Sequence, residues 1–540
     1  MPVLESHIDT SSKIYQRQRA EMLALLEEIR NIEGRIRANS DKAKKKFEKR
    51  SQLMPRERVA RLLDPGSPFL EFSTLAGYKM HDDNGKKDVA GGGNIVGVGY
   101  IGGIRCLITA NDSAIKGGSI TPMGLKKSLR AQEIALQNRL PVVSMVESGG
   151  ANLLYQSELF VDGGRVFANM ARLSAAGIPQ ITIVHGSSTA GGAYMPGLSD
   201  YVIAVKDRAK IFLAGPPLVK AALGEDASDE ELGGAVMHAT ISGTVDYLAD
   251  SDDHAISIAR ELVRQLGNTE TFRAASTPSP AAPPRYDTDE LCGLVPVDAR
   301  QPYDVRDVIA RIVDNSEFLP FKQDFGEETL CGHASVDGVA VGILGNNGPI
   351  MPEGSLKAAQ FIQLCCQSDT PLVYLMNTTG YMVGKEAEQR GAIKHGSKMI
   401  QAVSNATVPQ FTFILGGGYG AGNYGMCGRA YDPRFIFAWP NSKVAVMGGA
   451  QAAKVMEIIT KAKFARMGMP LDEDALAAMS GEVRNKLDKE ATALFATARI
   501  WDDGVIDPRE TRAVLSTCLH IEREARARTL HPNTFGVARG

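Results

Sequence analysis

"PVVSMVESGGANLLYQ", residues 141–156, and "PLVYLMNTTGYMVGKE", residues 371–386, are two versions of one pattern: a proline, an apolar run and a turn of small residues. A second pair accompanies them, since "IPQITIVHGSSTAGGAYM" from Ile178 matches "VPQFTFILGGGYGAGNYGM" from Val408. At a constant spacing of 230 residues Pro141 meets Pro371, Gly150 meets Gly380, Pro179-Gln180 meets Pro409-Gln410, Gly186 meets Gly416, Gly192 meets Gly422 and Tyr194 meets Tyr424. One spacing held through two separated motifs marks an internal duplication. Each copy reads as an α/β unit in which a strand runs into a small-residue loop and then a helix start.

The surroundings of the repeat set its frame. "TPSPAAPPRY" (277–286) has no hydrophobic period and reads as a linker, which gives a first domain over 1–276, opened by a charged helical arm within 12–63, and a second over 287–540. A chain of 540 residues with 44% hydrophobic and 23% charged content exceeds one core, and its net charge of -2 argues against nucleic acid as a partner. The basic run "DKAKKKFEKR" (41–50) is more simply a solvated helix face than a phosphate-binding arm. Uncharged runs such as 399–428 are broken by Gly, Asn and Gln, so no membrane span is expected. Seven scattered cysteines lack metal-site or disulfide spacing; reduced thiols and no metal are expected. "MPVLESHIDT" has neither a secretory nor a transit layout, and a cytoplasmic location is the expectation.

Chemistry is harder to find, because residues 177–199 contain no Asp, Glu, Lys or Arg. Helix starts expose backbone N–H groups without intrahelical partners and favour negative charge. A Gly191-Gly192 pair there can donate to an oxyanion, an effect typically worth about 3–4 kcal/mol for one donor. A branched side chain at Gly192 is expected to occupy the oxyanion's place. The plainer alternative is a tight turn with glycine for packing, and a second copy in register favours the donor reading. Three sharper motifs compete. "GAGNYG" (420–425) formally fits a dinucleotide fingerprint but has no acidic residue until Asp432. "GSSTA" (186–190) approximates a nucleophile elbow, with Ser188 as nucleophile and His185 or His238 as base. Glu147 could serve as a general base, yet its counterpart is Asn377.

"MPRERVARLLDPGSPFLEF" (54–72), "ESGGAN" (147–152), "TAGGAY" (189–194), "IFLAGPPLVKAALGE" (211–225), "ELGGAVMHATISG" (231–243), "GYGAGNYGMCGRAYDPRFIFAWPN" (418–441), "VMGGAQAA" (446–453) and "WDDGVIDPRETR" (501–512) together resemble the carboxyltransferase β subunit of biotin-dependent acyl-CoA carboxylases. "AGNYGMCGRAYDPRF" and "TTGYMVG" are similar to the branch acting on 3-methylcrotonyl-CoA or geranyl-CoA, enzymes of leucine and isoprenoid catabolism.

The resemblance implies two tandem crotonase-like β-β-α superhelix domains, acyl-CoA on the first and carboxybiotin on the second, with the first domain of one protomer facing the second of another. It implies two oxyanion holes, Gly191-Gly192 for the thioester enolate and Ala421-Gly422 for the ureido oxygen of biotin. Substrate contacts are implied at Gly117, Gly118, Gly149, Gly150, Ala151, Ala190 and Tyr194, and biotin contacts at Gly380, Tyr381, Gly420 and Tyr424. The freed biotin nitrogen would take the substrate proton, so no side-chain base is needed. No Met-Lys-Met biotin attachment site or ATP signature occurs, which implies a biotinylated α subunit as partner, with a β-subunit hexamer at the core of an α6β6 assembly. Where methylcrotonyl-type sequences carry Pro-Arg-Gln and Phe-Pro-Asp-Arg, this chain has Leu154-Tyr155-Gln156 and Phe160-Val161-Asp162-Gly163-Gly164, positions expected at the mouth of the acyl pocket. Other carboxyltransferases, such as a propionyl-CoA type, and a crotonase-type hydratase or isomerase are the alternatives.

Overall fold

The computed structural model describes residues 1–267, 281–298 and 301–538; residues 277–280 of the proline-rich stretch lie outside the described residues. Two compact units result. One gathers Asn31–Ser276, Ala498–Ile500 and Leu519–Gly540, the other Met1–Arg30, Thr277–Thr497 and Trp501–Cys518.

The first unit is built on β1 (Leu70–Glu71), β2 (Asn94–Ile101), β3 (Ile104–Asn111), β4 (Val142–Ser148), β5 (Gln180–Thr189), β6 (Tyr201–Val205), β7 (Lys210–Phe212) and β8 (Tyr247–Ala249). They run in the order β1-β2-β3-β4-β5-β6-β8, with β7 also on β5. β2 and β3 form an antiparallel hairpin turned by Gly102 and Gly103, both at positive φ. From β3 onward the pairing is parallel. β4, VVSMVES, is buried along its whole length and shows no polar–apolar alternation, as expected of a parallel strand covered on both faces. Val143, Met145, Ile181, Ile183 and Ile203 form the centre of the core. The C-terminal segment completes it. Arg528, 2% exposed, donates to the carbonyls of Asn138, Arg139 and Arg105, and Glu524 accepts from Arg105 Nε at 2.9 Å.

The second unit repeats the plan with β9 (Leu319–Pro320), β10 (Thr329–Val336), β11 (Val339–Asn346), β12 (Leu372–Thr378), β13 (Gln410–Tyr419), β14 (Phe435–Ala438) and β15 (Lys443–Ala445). Its order is β14-β13-β12-β11-β10-β9, with β15 on β13. The α/β class and the duplication both hold. Val142 pairs with Gln180 and Leu372 with Gln410, and each ladder slips at the same place, between Val146 and Ser148 and between Met376 and Thr378. The bridges Ile120–Ala151 and Ile350–Tyr381 also match. Beyond the small-residue turns the spacing lengthens, for Ile181 pairs with Tyr201 whereas Phe411 pairs with Phe435.

In each unit a helix covers the sheet just before the fourth or twelfth strand. Thr121 caps Pro122–Gln137, its Oγ1 accepting from Gly124 N–H at 3.1 Å, with proline in the first turn where its missing N–H costs nothing. Pro352–Gln367 starts the same way without a side-chain cap. Each carries one buried lysine at the repeat spacing. Lys127 Nζ donates to the carbonyls of Asn94 (2.8 Å) and Gly91 (3.2 Å), and Lys357 Nζ to that of Lys322 (3.2 Å). Burial lowers Lys127 to about 8.

Among the described residues no helix is long and apolar enough to cross a membrane. All seven cysteines are free and six are buried, where desolvation pushes Cys106 up to about 12 and removes it from nucleophilic chemistry. The run 41–50 holds the short helix Lys44–Lys49, with exposed lysines around a buried Phe47, as a solvated face requires.

The helix Pro122–Gln137 approaches the Gly91–Asn94 loop so closely that a Cβ on Gly124 would overlap the Gly92 carbonyl oxygen. Gly124→Ala should therefore cost about 1–3 kcal/mol by overpacking and lower the first thermal transition by several degrees. Gly163, in a helix with nothing within 4 Å of a built Cβ, supplies the control: Gly163→Ala should hold or raise it.

Candidate active site

Two loops meet at the end of β4 and β5. After Ser148 the chain turns through Gly149 and Gly150 (φ 83°), and after Thr189 it turns through Ala190 (φ 51°) into the short helical turn Ala190–Ala193. Ser148 Oγ donates to the Gly118 carbonyl at 3.2 Å and accepts from Gly150 N–H at 3.1 Å. In the second unit Thr378 Oγ1 accepts from Gly380 N–H at 3.2 Å, Gly380 has φ 117°, and Gly420 stands at φ 51° where Ala190 stands in the first. A positive φ is ordinary for glycine and strained for alanine.

That turn decides where the backbone donors lie. Among the described residues, the N–H groups of Gly191 and Gly192 find no partner outside their own turn, and the same holds for Ala421 and Gly422 in Gly420–Gly425. Ser188 Oγ fixes the first turn by donating to the Gly192 carbonyl at 2.9 Å.

The glycine at 192 has a different reason from the expected one. A Cβ there would lie 3.3 Å from Ser148 Oγ, facing the neighbouring loop and not open space; at Gly422 it would lie 2.7 Å from Gly380 Cα. Glycine at this position lets the two loops touch. The position that faces open space is Gly191, whose built Cβ meets nothing nearer than Phe167 Cζ at 3.8 Å.

Beside the first turn lies a cavity of about 520 Å³ with a mainly apolar wall. Gly191, Gly192, Ser148 and Ala151 floor it, and Leu159, Phe160, Val161, Gly163, Gly164 and Phe167 of the helix Gln156–Ala175 wall it. Phe160, Val161, Gly163 and Gly164 line this cavity, whereas Leu154, Tyr155, Gln156 and Asp162 lie outside the lining. Gly117, Gly118, Gly149 and Gly150 form backbone contacts behind the floor: a Cβ on Gly118 would overlap the Glu147 carbonyl oxygen, and one on Gly149 would sit 3.3 Å from the Gly117 carbonyl oxygen. Tyr194 is 46% exposed, its ring centroid 5.4 Å from that of Phe167.

The second turn, Tyr419–Gly425, bears no charged residue, and exposed Tyr424, Val383 and Val446 stand in the same unit. Uncharged N–H donors in a turn without charged side chains fit a neutral ureido group. Tyr381 is turned inward, its ring packed on Gly396 and its hydroxyl close to Gly425, with burial raising its pKa.

None of the side-chain alternatives is placed for catalysis. His185 is wholly buried, its Nδ1 2.9 Å from Asp252 Oδ1, and desolvation lowers its pKa, so it is neutral at pH 7. His238 is engaged by the Ile211 carbonyl and Ser242. Glu147 accepts from Arg58 Nη1 at 2.8 Å, while Arg58 Nε lies 3.4 Å from Asp252 Oδ2. This Arg58–Glu147–Asp252–His185 group lies under the slip in β4, and a Cβ on Gly186 would come within 2.8 Å of the Glu147 carboxylate. In the second unit Asn377 takes the same place beside Gly416 without charge, and its Oδ1 accepts from the Gly417 N–H at 2.7 Å. The group was invisible in the sequence because Arg58, Glu147 and Asp252 are far apart in the chain.

Asp252 is held down to about 2: desolvation opposes its charge, but the hydrogen bond from His185 and the nearby Arg58 guanidinium outweigh it. A folded pKa below the unfolded one gives stability that is present above about pH 4 and is lost as pH falls towards 2. Asp252→Asn should flatten the acid limb of the first unit's stability curve in that window, read by chemical denaturation at stepped pH.

A family profile described as "Carboxyl transferase domain" matches residues 46–537. A probable biotin-dependent acyl-coenzyme A carboxylase beta2 subunit of Mycobacterium tuberculosis is 50% identical over 519 residues, 96% of each chain. A probable mitochondrial methylcrotonoyl-CoA carboxylase beta chain of Drosophila melanogaster is 48% identical over 96% of this chain and 92% of its own. The crystal structure of the P. aeruginosa geranyl-CoA carboxylase beta subunit superposes with a TM-score of 0.93 at 56% identity over the whole of both chains. The hydratase and isomerase alternatives fall away. The chain belongs to the carboxyl transferase family: it is an enzyme, a β subunit of the acyl-CoA carboxylase kind, with two crotonase-like domains.

Proposed function

We propose that the protein transfers a carboxyl group from carboxybiotin, borne by a partner α subunit, to the γ carbon of geranyl-CoA. The observation that carries the acyl assignment is the wall of the first cavity: Gly163 and Gly164 leave it open where a larger side chain would close it. The likeness to the geranyl-CoA carboxylase structure points the same way. A geranyl chain has five carbons more than 3-methylcrotonyl, each worth about 0.8 kcal/mol when buried, so a longer apolar groove has an energetic use. The 3-methylcrotonyl reading keeps the support of relatives named for that substrate at nearly half identity.

In this reading Gly191 and Gly192 N–H groups receive the thioester oxygen as the γ proton leaves and the dienolate charge settles there. Ala190, Gly117, Gly118, Gly149 and Gly150 shape the backbone around it, and Tyr194 packs on Phe167 of the cavity wall. Ala421 and Gly422 N–H groups would hold the ureido oxygen, between Gly380, Gly420 and Tyr424. Carboxybiotin, when bound, supplies the carboxyl group and a basic ureido nitrogen. The chain contributes position and fixed dipoles, not a proton carrier. The domains then divide as an acyl-CoA side and a biotin side, and completion of a site by a second protomer, in a six-plus-six assembly with α subunits, belongs to the same proposal.

The holoenzyme should carboxylate geranyl-CoA with a higher kcat/KM than 3-methylcrotonyl-CoA, and Gly164→Phe should reverse that order by raising the geranyl-CoA KM about tenfold or more. Preference for the short substrate in the wild type would overturn the geranyl assignment. For the donors, Gly191→Val should lose about 10²–10³ in kcat, while Ser188→Ala, which removes only a tie to the Gly192 carbonyl, should keep at least a tenth of it. The opposite order in folded variants would restore Ser188 as a nucleophile.

A further inference from the structure

Residues 78–90 form a compact loop organised by Asp83, whose carboxylate accepts from the N–H groups of Lys79 (3.0 Å), Gly85 (2.8 Å) and Val89 (3.0 Å). Such a hub fixes the residues beside it. Asp82 pairs with the Lys116 ammonium, and its other oxygen accepts from the Tyr155 hydroxyl at 3.0 Å. His81 Nε2 lies 3.0 Å from Glu158 Oε2, and its ring stands edge-on to that of Tyr155 at 4.9 Å.

These partners belong to two different pieces of the site. Lys116 opens the turn Lys116-Gly117-Gly118, three consecutive residues at positive φ (50°, 63° and 72°), a conformation that a lysine resists. Tyr155 and Glu158 belong to the entry of the helix Gln156–Ala175, which carries Leu159, Phe160 and Val161 into the cavity wall one turn further on. One carboxylate therefore touches both the strained turn behind the cavity floor and the first turn of the cavity's wall.

We infer that His81 and Asp82 form a brace that sets the separation between the Lys116–Gly118 turn and the cavity helix, and so the length of acyl chain the cavity takes. Asp82 is a positioning residue: it reaches the substrate only through Lys116 and Tyr155. The hydrogen bond from Lys116 holds its carboxyl below the ordinary value, in keeping with a brace that is ionised at neutral pH. Loss of one arm affects a long chain more, because atoms far from the thioester depend on where Phe160 and Val161 stand, whereas the turn that carries the donors of Gly191 and Gly192 is tied by Ser188, which neither arm touches. The brace rests on the reading of this cavity as the acyl site.

Two measurements on Asp82→Asn and His81→Ala in the assembled holoenzyme test it. Steady-state kinetics should show the KM for geranyl-CoA raised about three- to tenfold, with kcat and the 3-methylcrotonyl-CoA KM changed less than twofold. Equal losses for both substrates, or none, would overturn a role in chain length. Hydrogen–deuterium exchange, read without any substrate, should quicken in 116–118 and 153–161 together. Unchanged exchange in both segments overturns the brace whichever acyl-CoA is used. Should the wild type turn over neither substrate, the acyl reading fails by itself, and the role in chain length falls with it.

Discussion

A residue held in the left-handed region at the end of a long parallel strand governs each half of this protein. Ala190 after β5 and Gly420 after β13 share a φ of 51°, and the chain leaves the sheet there so that the next two amides begin a helical turn. Those amides are free of carbonyl partners outside the turn because a helix cannot satisfy its own first donors. Everything near them serves to keep that turn in place: the hydroxyl of Ser188, the touching loop that glycine at 192 or 422 permits, and the slip in β4 or β12 that starts the loop.

The two copies reach this geometry by different chemistry. Beneath the slip in the first copy lies a buried charged group, Glu147 with Arg58 and Asp252; in the second an amide, Asn377, takes that place and accepts from a backbone N–H. Buried ion pairs need good geometry to offset their desolvation, and removing one partner leaves an uncompensated charge. The first site therefore sits on a more pH-sensitive foundation than the second. The positions that repeat best are those where backbone meets backbone, and the side chains below have diverged.

Much of the site was legible because its requirements are local. Proline before a strand and glycine at a close approach or a positive φ are dictated by backbone sterics within a few residues, so Gly150 and Gly380 could be paired by eye. What the sequence hid is what distance creates. The spacing that grows after the turns, the contribution of residues 1–30 to one unit and 519–540 to the other, and the Arg58 group all depend on segments far apart in the chain. Gly192 shows a subtler limit. Its glycine was evident, but only the direction of its missing Cβ, towards Ser148, showed that it answers to a neighbouring loop, and that Gly191 faces the open cavity.

The C-terminal segment has a consequence for how the chain is made. The first unit lacks its last pieces until residues 519–540 exist, roughly 240 residues after Ser276 leaves the ribosome. At ordinary synthesis rates that is a wait of ~10–50 s. During it the carbonyls of Arg105, Asn138 and Arg139 have no Arg528 to cover them, and Arg105 has no Glu524. The order of translation thus leaves a segment made early among the last to close, and a chain stopped before residue 519 would leave that segment, and not only the missing residues, exposed to proteases and chaperones.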